Sequence, residues 1–546
     1  MATATTLRRS VGAKSAHDKP MSTSARRGIG RSKPPKLVRN WSVGEGRPMG
    51  RDIETTDFTP DDRLQFRQKV KANLSALRKL VDGGGFETGR RTCGVEIEVY
   101  ITDPEGSAVP INAKLLERIP SADFQTELAK FTIEFDVKPR LLTGHVFTTI
   151  DTELRRSLTL AHDIAEELGA RMTIIGILPT LRDVDFTEDH MSANQRYKAL
   201  NDMILKARGE DILINIEGAE ELQARASSIL FEAACTSMQL HLQVDPHDFG
   251  LYWNAAQMLS APLVAVGANS PFFLGRQLHH ETRIALFEQA IETRTEELVL
   301  QGVRPRVWFG EKWLDEGEGL WDLFDENVRY FPALLPLCED EDPAAMIEAG
   351  EVPRLPELTL HNGTIYRWNR PVYEVVRGRP HMRIENRVLP AGPSVPDSVA
   401  NAAFCYGLLH GLVSRPRPHL WEQMSFAAAA DNFYTAARDG LGARLYWPRV
   451  GAQVPVPELI LRHLLPLARD GLVEWGVDAG DVDYYLGIIA ERTLSGLTGA
   501  GWQIATWHKL LHDDKLSRED ATRELVRIYQ RRSYASTPVH TWPVGG

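Results

Sequence analysis

The sequence predicts an α+β fold in which one antiparallel sheet carries helices on its apolar face and a C-terminal helical region follows. Three observations point there. Four short segments alternate polar and apolar residues with period two, the chain from Ser398 onward has helical spacing, and no apolar run reaches the ~18 residues of a membrane span. Asp61 to Leu80 reads as an amphipathic helix, and Gly83-Gly84-Gly85 stops it. The first alternating segment is Cys93 to Tyr100. Successive side chains in a strand face opposite ways, so Glu96 and Glu98 share one face, ~7 Å apart, with Val95, Ile97 and Val99 on the other. Two like charges placed that way call for a cation.

The same layout recurs three times. Glu134 and Asp136 oppose Ile133, Phe135 and Val137; Gln239, His241 and Gln243 oppose Met238, Leu240, Leu242 and Val244; Arg383, Glu385 and Arg387 oppose Met382, Ile384 and Val388, with Asn386 the exception. One such strand alone is an ordinary half-exposed strand. Four of them form a constellation of oxygen donors with one imidazole, which suits Mg²⁺ or Mn²⁺ better than Zn²⁺. Between the strands, Thr149 to Leu168 has helical spacing, Met172 to Leu178 reads as a short strand, and Asn194 to Ala207 and Pro246 to Met258 read as helices. Gly267 to Gly275 is a loop of small residues, in which Asn269 and Ser270 either turn the chain or contact substrate. Glu281 to Leu300 follows as a helix carrying Arg283, and Glu339 to Leu360 is acidic and proline-containing, read as a surface excursion. The helical region comprises Val399 to Val413, Glu422 to Arg438, Pro457 to Leu472, Asp481 to Ser495 and Arg518 to Arg531. The expected organisation is therefore a tail over 1–55, a catalytic domain over 56–415 and a helical region over 416–546.

Charge is unevenly spread. Residues 1–51 hold twelve Lys and Arg against Asp18 and Glu45, a balance of +10, so the rest of a chain of net charge −10 carries −20. That basic tail is Ser, Thr, Arg and Gly-rich and is expected to be disordered. Its bias resembles a transit peptide, while a start at Met21 or Met49 fits equally. The acidic remainder argues against nucleic acid as a partner of the core. Cys93, Cys235, Cys338 and Cys405 are widely spaced, the pattern of reduced core thiols in a cytoplasmic protein, and no neighbour reads as an activating base for a thiol nucleophile. Val544-Gly545-Gly546 is read as a solvated tail.

Gly94-Val95-Glu96-Ile97-Glu98, Thr132-Ile133-Glu134-Phe135, the His241 strand, Gly267-Ala268-Asn269-Ser270-Pro271-Phe272-Phe273, Tyr366 to Pro371 and Arg383 to Arg387 together resemble, in order, the glutamate-cysteine ligase type 2 (carboxylate-amine ligase) family of the glutamine synthetase-like superfamily. The resemblance covers roughly residues 90 to 415, with weaker similarity at Gly496 to Gln503 and Pro538 to Pro543. It implies a glutamine synthetase-like antiparallel sheet whose polar face binds ATP with Mg²⁺ (or Mn²⁺). On the family pattern Glu96, His241 and Glu385 would hold one metal, and Glu98, Glu134 and Glu127 another. Arg387 would meet the transferring phosphate, with Arg370 and Arg283 as further catalytic guanidinium groups and Arg383 and Arg367 as further nucleotide-side ones. The implied activity is ATP-dependent amide formation through an acyl phosphate, with glutamate as carboxylate and cysteine the first amine to test. A protein-modifying ligase or a non-catalytic nucleotide-binding relative stays open, as do the metal number and a homo-oligomeric state.

Overall fold

The computed structural model describes residues 57–317, 319–448 and 450–545, so the basic tail expected over 1–55 lies outside the described residues. Seven strands build the central sheet: β1 (Thr92–Thr102), β2 (Phe124–Thr126), β3 (Thr132–Leu141), β4 (Arg171–Thr173), β5 (Ser237–Gln243), β6 (Asn369–Val376) and β7 (Arg379–Pro390). Their order is β6-β7-β5-β1-β3-β2, with β4 paired to the end of β1, and every pairing is antiparallel. The alternation is obeyed. Val95, Ile97, Val99, Ile133, Phe135, Leu240, Leu242, Met382 and Ile384 are all buried on one side.

Helices pack around the sheet, Val146–Glu167, Phe249–Gly267 and Val395–Val413 directly against it. The first helix, α1 (Pro60–Asp82), starts at a reciprocal cap in which Thr59 and Asp62 bond each other's backbone N–H. It is followed by α2 (Val146–Glu167), α3 (Gln195–Arg208), α4 (Phe249–Gly267), α5 (Thr282–Ala290) and α6 (Val395–Val413). Both α4 and α6 are buried almost all round, and α6 is tied to the sheet by Tyr406, whose hydroxyl donates to the carbonyls of Gly94 (2.9 Å) and His241 (3.1 Å). Further on come α7 (Phe426–Asp439), α8 (Leu465–Glu474), α9 (Ala479–Ser495), α10 (Gly499–His512) and α11 (Arg518–Tyr534). Helix α8 crosses α6 so closely that a Cβ on Gly471 would lie 2.1 Å from the Gly407 carbonyl oxygen, which is why glycine stands there.

Residues on both sides of position 415 share one apolar interior and several buried polar ties. Arg492 on α9 pairs with Asp397 on α6 at 2.7 Å, both side chains being essentially without solvent. Asn269 receives Gln503 of α10 (2.9 Å) and gives its amide to Tyr529 of α11 (2.8 Å). Backbone Val539 donates to Asp397 at 2.9 Å, and Lys509 and Thr506 hold Val544 and Gly545, so these last described residues are packed where a solvated tail was expected.

Four expectations are corrected. Only Met172 and Thr173 of the 172–178 segment are in a strand, Arg171–Thr173, and the backbone of Gly176 bonds to Asn269 and Thr236 instead. The 281–300 helix breaks after Ala290, where Arg208 draws the carbonyls of Glu292 and Arg294. The 339–360 segment is no mere surface excursion: it carries helices Pro343–Glu348 and Pro356–Asn362, and Glu357 and Leu358 are buried beside α1, where Asn73 accepts the Leu358 N–H. The helix expected over Pro246 to Met258 starts only at Phe249, after a short 3₁₀ turn over Pro246–Asp248, and as α4 runs on through Pro262 to Gly267.

Candidate active site

The register of the sheet places the polar rows side by side. Glu96 stands opposite Asp136 on β3 and Gln239 on β5, Glu98 opposite Glu134, Glu134 opposite Gln125 on β2, Glu385 opposite His241, and Arg370 on β6 opposite Glu385. Residues far apart in the chain are therefore neighbours on one face. Ligand atoms of Glu98, Glu127 and Glu134 lie within 4.8 Å of one another, and so do those of Glu96, Glu134 and Asp136, with Glu134 common to both groups.

Fixed donors hold these carboxylates in place. Glu98 accepts from the Ser237 N–H (2.6 Å), the Ser237 hydroxyl (2.9 Å) and Gln239 (3.3 Å), while Glu134 accepts from Gln125 (2.6 Å) and Gln239 (3.3 Å). Glu385 receives Arg370 through two nitrogens (2.9 and 3.2 Å) and Arg387 at 2.7 Å, and the Arg387 guanidinium also reaches Gln239 at 3.0 Å. His241 lies 2.9 Å from Glu96, and its Nδ1 accepts from Arg383 (3.0 Å), which in turn pairs with Glu374 (2.5 Å).

The electrostatics divide the face in two. Burial pushes Glu98, Glu127 and Glu134 above the usual carboxylate range; neighbouring carboxylates add to this for Glu127 and Glu134, while Arg387 pulls Glu98 part of the way back. Asp136 is pushed up to about 7 by burial and Glu96, and Glu232, on a turn beside the site, to about 8 by burial and Glu98. On the other half, burial opposes ionisation of Glu96 and Glu385, but His241 holds the first below its ordinary value, and Arg370 with Arg387 holds the second well below.

Two orphaned atoms bear on whether a divalent cation fits. His241 Nε2 and Asp136 Oδ1 are buried without a hydrogen-bond partner, the His241 nitrogen facing Glu96 off the hydrogen-bond line. Clustered carboxylates that repel each other are the donor set of a hard cation. Residues Glu98, Glu127 and Glu134 could hold one such ion, and Glu96, Asp136 and Glu134, with His241 beside them, a second.

Of the residues singled out from sequence, Glu96, Glu98, Glu127, Glu134, His241, Glu385, Arg370, Arg383 and Arg387 are brought to this face. Glu385 lies on this face opposite His241 with both oxygens accepting from arginines, and Asp136 joins Glu96 and Glu134 in the gathered group. As the structure stands, Nδ1 of His241 accepts from Arg383, so a neutral ring carries its proton on Nε2; metal binding through Nε2 would require Arg383 to release the ring. Arg367 is not brought to the cluster. Its guanidinium bonds Glu326 (2.7 Å) and Asn327 (3.1 Å) and lies 5.4 Å from the Trp308 ring. Arg283 is turned onto Glu281 at 2.9 Å and onto backbone carbonyls, away from the role of a free guanidinium. Residues missed from sequence include Gln239, which links Glu98, Glu134 and Arg387, and Glu232, which sits on a turn with no strand periodicity to mark it.

The antiparallel sheet thus turns carboxylates, an imidazole and paired arginines to a common side. The chain belongs to glutamate-cysteine ligase family 2, whose profile matches residues 92–527, and is an ATP-dependent ligase that forms a C–N bond. Among solved structures, glutamate-cysteine ligase from Francisella tularensis in complex with AMP is similar over 83% of this chain and 91% of that one, at 13% identity and a TM-score of 0.50, a likeness of fold. A bifunctional glutathione synthetase from Pasteurella multocida matches 87% of this chain and 55% of its own at 12% identity and a TM-score of 0.45. No curated protein sequence matches the chain. Among the described residues no helix is long and apolar enough to cross a membrane.

Proposed function

We propose that this ligase joins a glutamate carboxylate to a small amine, cysteine being the first to test, by way of an acyl phosphate. A carboxylate is a poor electrophile. Its oxygen first attacks the γ-phosphorus of ATP, the bond to the β-phosphate oxygen breaks, and ADP leaves; the amine nitrogen then attacks the acyl carbon, the C–O bond to phosphate breaks, and phosphate departs as the nitrogen loses a proton. Phosphoryl transfer depends on alignment and charge neutralisation more than on covalent help. Mg²⁺ or Mn²⁺ held by the two carboxylate groups would supply Lewis-acid neutralisation of the phosphate oxygens.

The chain's own residues supply the rest. Arg387, kept charged by Glu385 and Glu98, reaches over the cluster and is assigned to the transferring phosphoryl group, while Arg370 fixes Glu385 beneath it and Arg383 orients His241. The single observation supporting this reading is the gathering of Glu98, Glu127 and Glu134 within 4.8 Å beside an arginine that bridges Glu385 and Gln239. Titration with ATP and Mg²⁺, followed by ADP release over a panel of carboxylates and amines, tests it. Turnover that requires both glutamate and an amine is expected; nucleotide binding with no turnover on any pair would overturn it.

A further inference from the structure

The residue that delivers Arg387 lies on an irregular stretch of strand. Along the β7–β5 pairing, Asn386 faces Leu240 and Leu389 faces Met238, so three steps on β7 match two on β5 and Arg387 with Val388 forms a bulge. A bulge re-aims its side chain and disrupts the ladder locally. Here both bulge carbonyls are claimed by one side chain: Arg283 Nη2 donates to the Arg387 carbonyl (3.4 Å) and Nη1 to the Val388 carbonyl (3.3 Å). On the opposite edge, the Arg387 N–H donates to the Trp368 carbonyl at 2.9 Å.

The clamp is itself anchored. Arg283 Nη1 bonds Glu281 Oε1 (2.9 Å), Glu281 Oε2 accepts the Asn269 N–H (2.8 Å), and the Asn269 side chain donates to the Ala391 carbonyl (2.7 Å), just past the end of β7. Arg283, Glu281 and Asn269 are respectively 3%, 0% and 0% exposed. A charged pair that deep needs a reason beyond solvation, and this one forms a closed frame around the bulge.

We propose that Arg283 is a positioning residue: by gripping the two bulge carbonyls from the Glu281–Asn269 frame it sets the reach of the Arg387 guanidinium over the carboxylate cluster. This rests on the assignment of Arg387 to the transferring phosphoryl group. Arg283 touches no reacting atom; removing it lets the bulge relax and carries Arg387 off line.

The test uses the double variant Glu281→Gln with Arg283→Met, because removing the arginine alone would strand a buried carboxylate and confuse misfolding with mispositioning. Its kcat for ADP release is expected to fall by about 10- to 100-fold, the scale of an ångström-sized misplacement, with KM for ATP, carboxylate and amine within about twofold of wild type. In an Arg387→Met background the same double change is expected to lower kcat little further. A double variant with wild-type kcat, a change confined to KM, or losses that multiply independently with those of Arg387→Met would each overturn the proposal. Arg387→Met alone is the control: full turnover there would sink the phosphoryl assignment itself, whereas an inactive Arg387→Met beside an active double variant sinks only the clamp.

Discussion

Glu127→Gln is expected to make the metal-free protein more stable while stopping turnover. Glu127 has carboxylate neighbours Glu98 and Glu134 with ligand atoms within 4.8 Å, and at an effective dielectric of ~20 each such pair of charges repels by about 3.5 kcal/mol. The cluster can instead retain protons. Against an ordinary value of 4.5, keeping one proton at pH 7.5 costs about 4 kcal/mol, which caps the strain near that figure. Glu127 keeps some solvent access, and with that screening roughly 2 kcal/mol remains, or about 2 °C in Tm for a chain of this length. Glutamine can still accept the Leu128 N–H at 3.2 Å, so no bond seen in the structure is lost. The sign with pH follows. Because the folded state holds protons that the unfolded chain releases, wild-type stability in EDTA declines as pH rises from about 4.5, and the variant's advantage vanishes toward that pH. Thermal unfolding in EDTA and then in Mn²⁺ reads both effects: the ion should raise wild-type Tm and raise the variant's less. A variant that is less stable in EDTA and equally stabilised by Mn²⁺ would refute the reasoning.

Glu96→Gln should abolish ADP release with little change in Tm, since His241 remains beside it. Glu385→Gln should also abolish it but lower stability by about 3 kcal/mol or more, because buried Arg370 loses its carboxylate; equal unfolding of the two variants would contradict this. Arg492→Met, which leaves Asp397 buried and unpaired, is expected to lower Tm by about 3–5 °C in calorimetry, with part of the loss recovered in combination with Asp397→Asn. Burial pushes the Cys93 and Cys405 thiols up to about 12 and the Cys235 thiol well above its ordinary range, so native alkylation followed by mass spectrometry should modify exposed Cys338 first, and Cys93→Ser should leave turnover within about twofold.

The strands that carry the site were legible because each has one chemically apolar and one polar side, and period two then decides which residues meet. β6 escaped that rule. Pro371 sits inside it, a residue tolerated only because β6 is the edge of the sheet, which no local pattern announces. Arginines were the hardest to place, since a guanidinium on a long stem goes wherever a carboxylate waits: Arg367 found Glu326 on the helix Gly319–Tyr330, Arg283 found Glu281 two residues away, and only Arg370 and Arg387 share Glu385. Asp136 was visible on the correct face, but its entry into the Glu96 group depends on the β1–β3 register.

Asn269 and Asp397 have a consequence for the order of synthesis. Each is sealed inside the molecule, yet their partners Gln503, Tyr529 and Val539 are translated a hundred residues or more later. While the ribosome is still working, the emerging sheet must therefore wait with those groups wetted or unmatched, and its mature form comes within reach only when α10, α11 and the stretch behind them have left the exit tunnel. Nascent chains stalled before residue 500 should bind chaperones and remain protease-sensitive throughout the sheet.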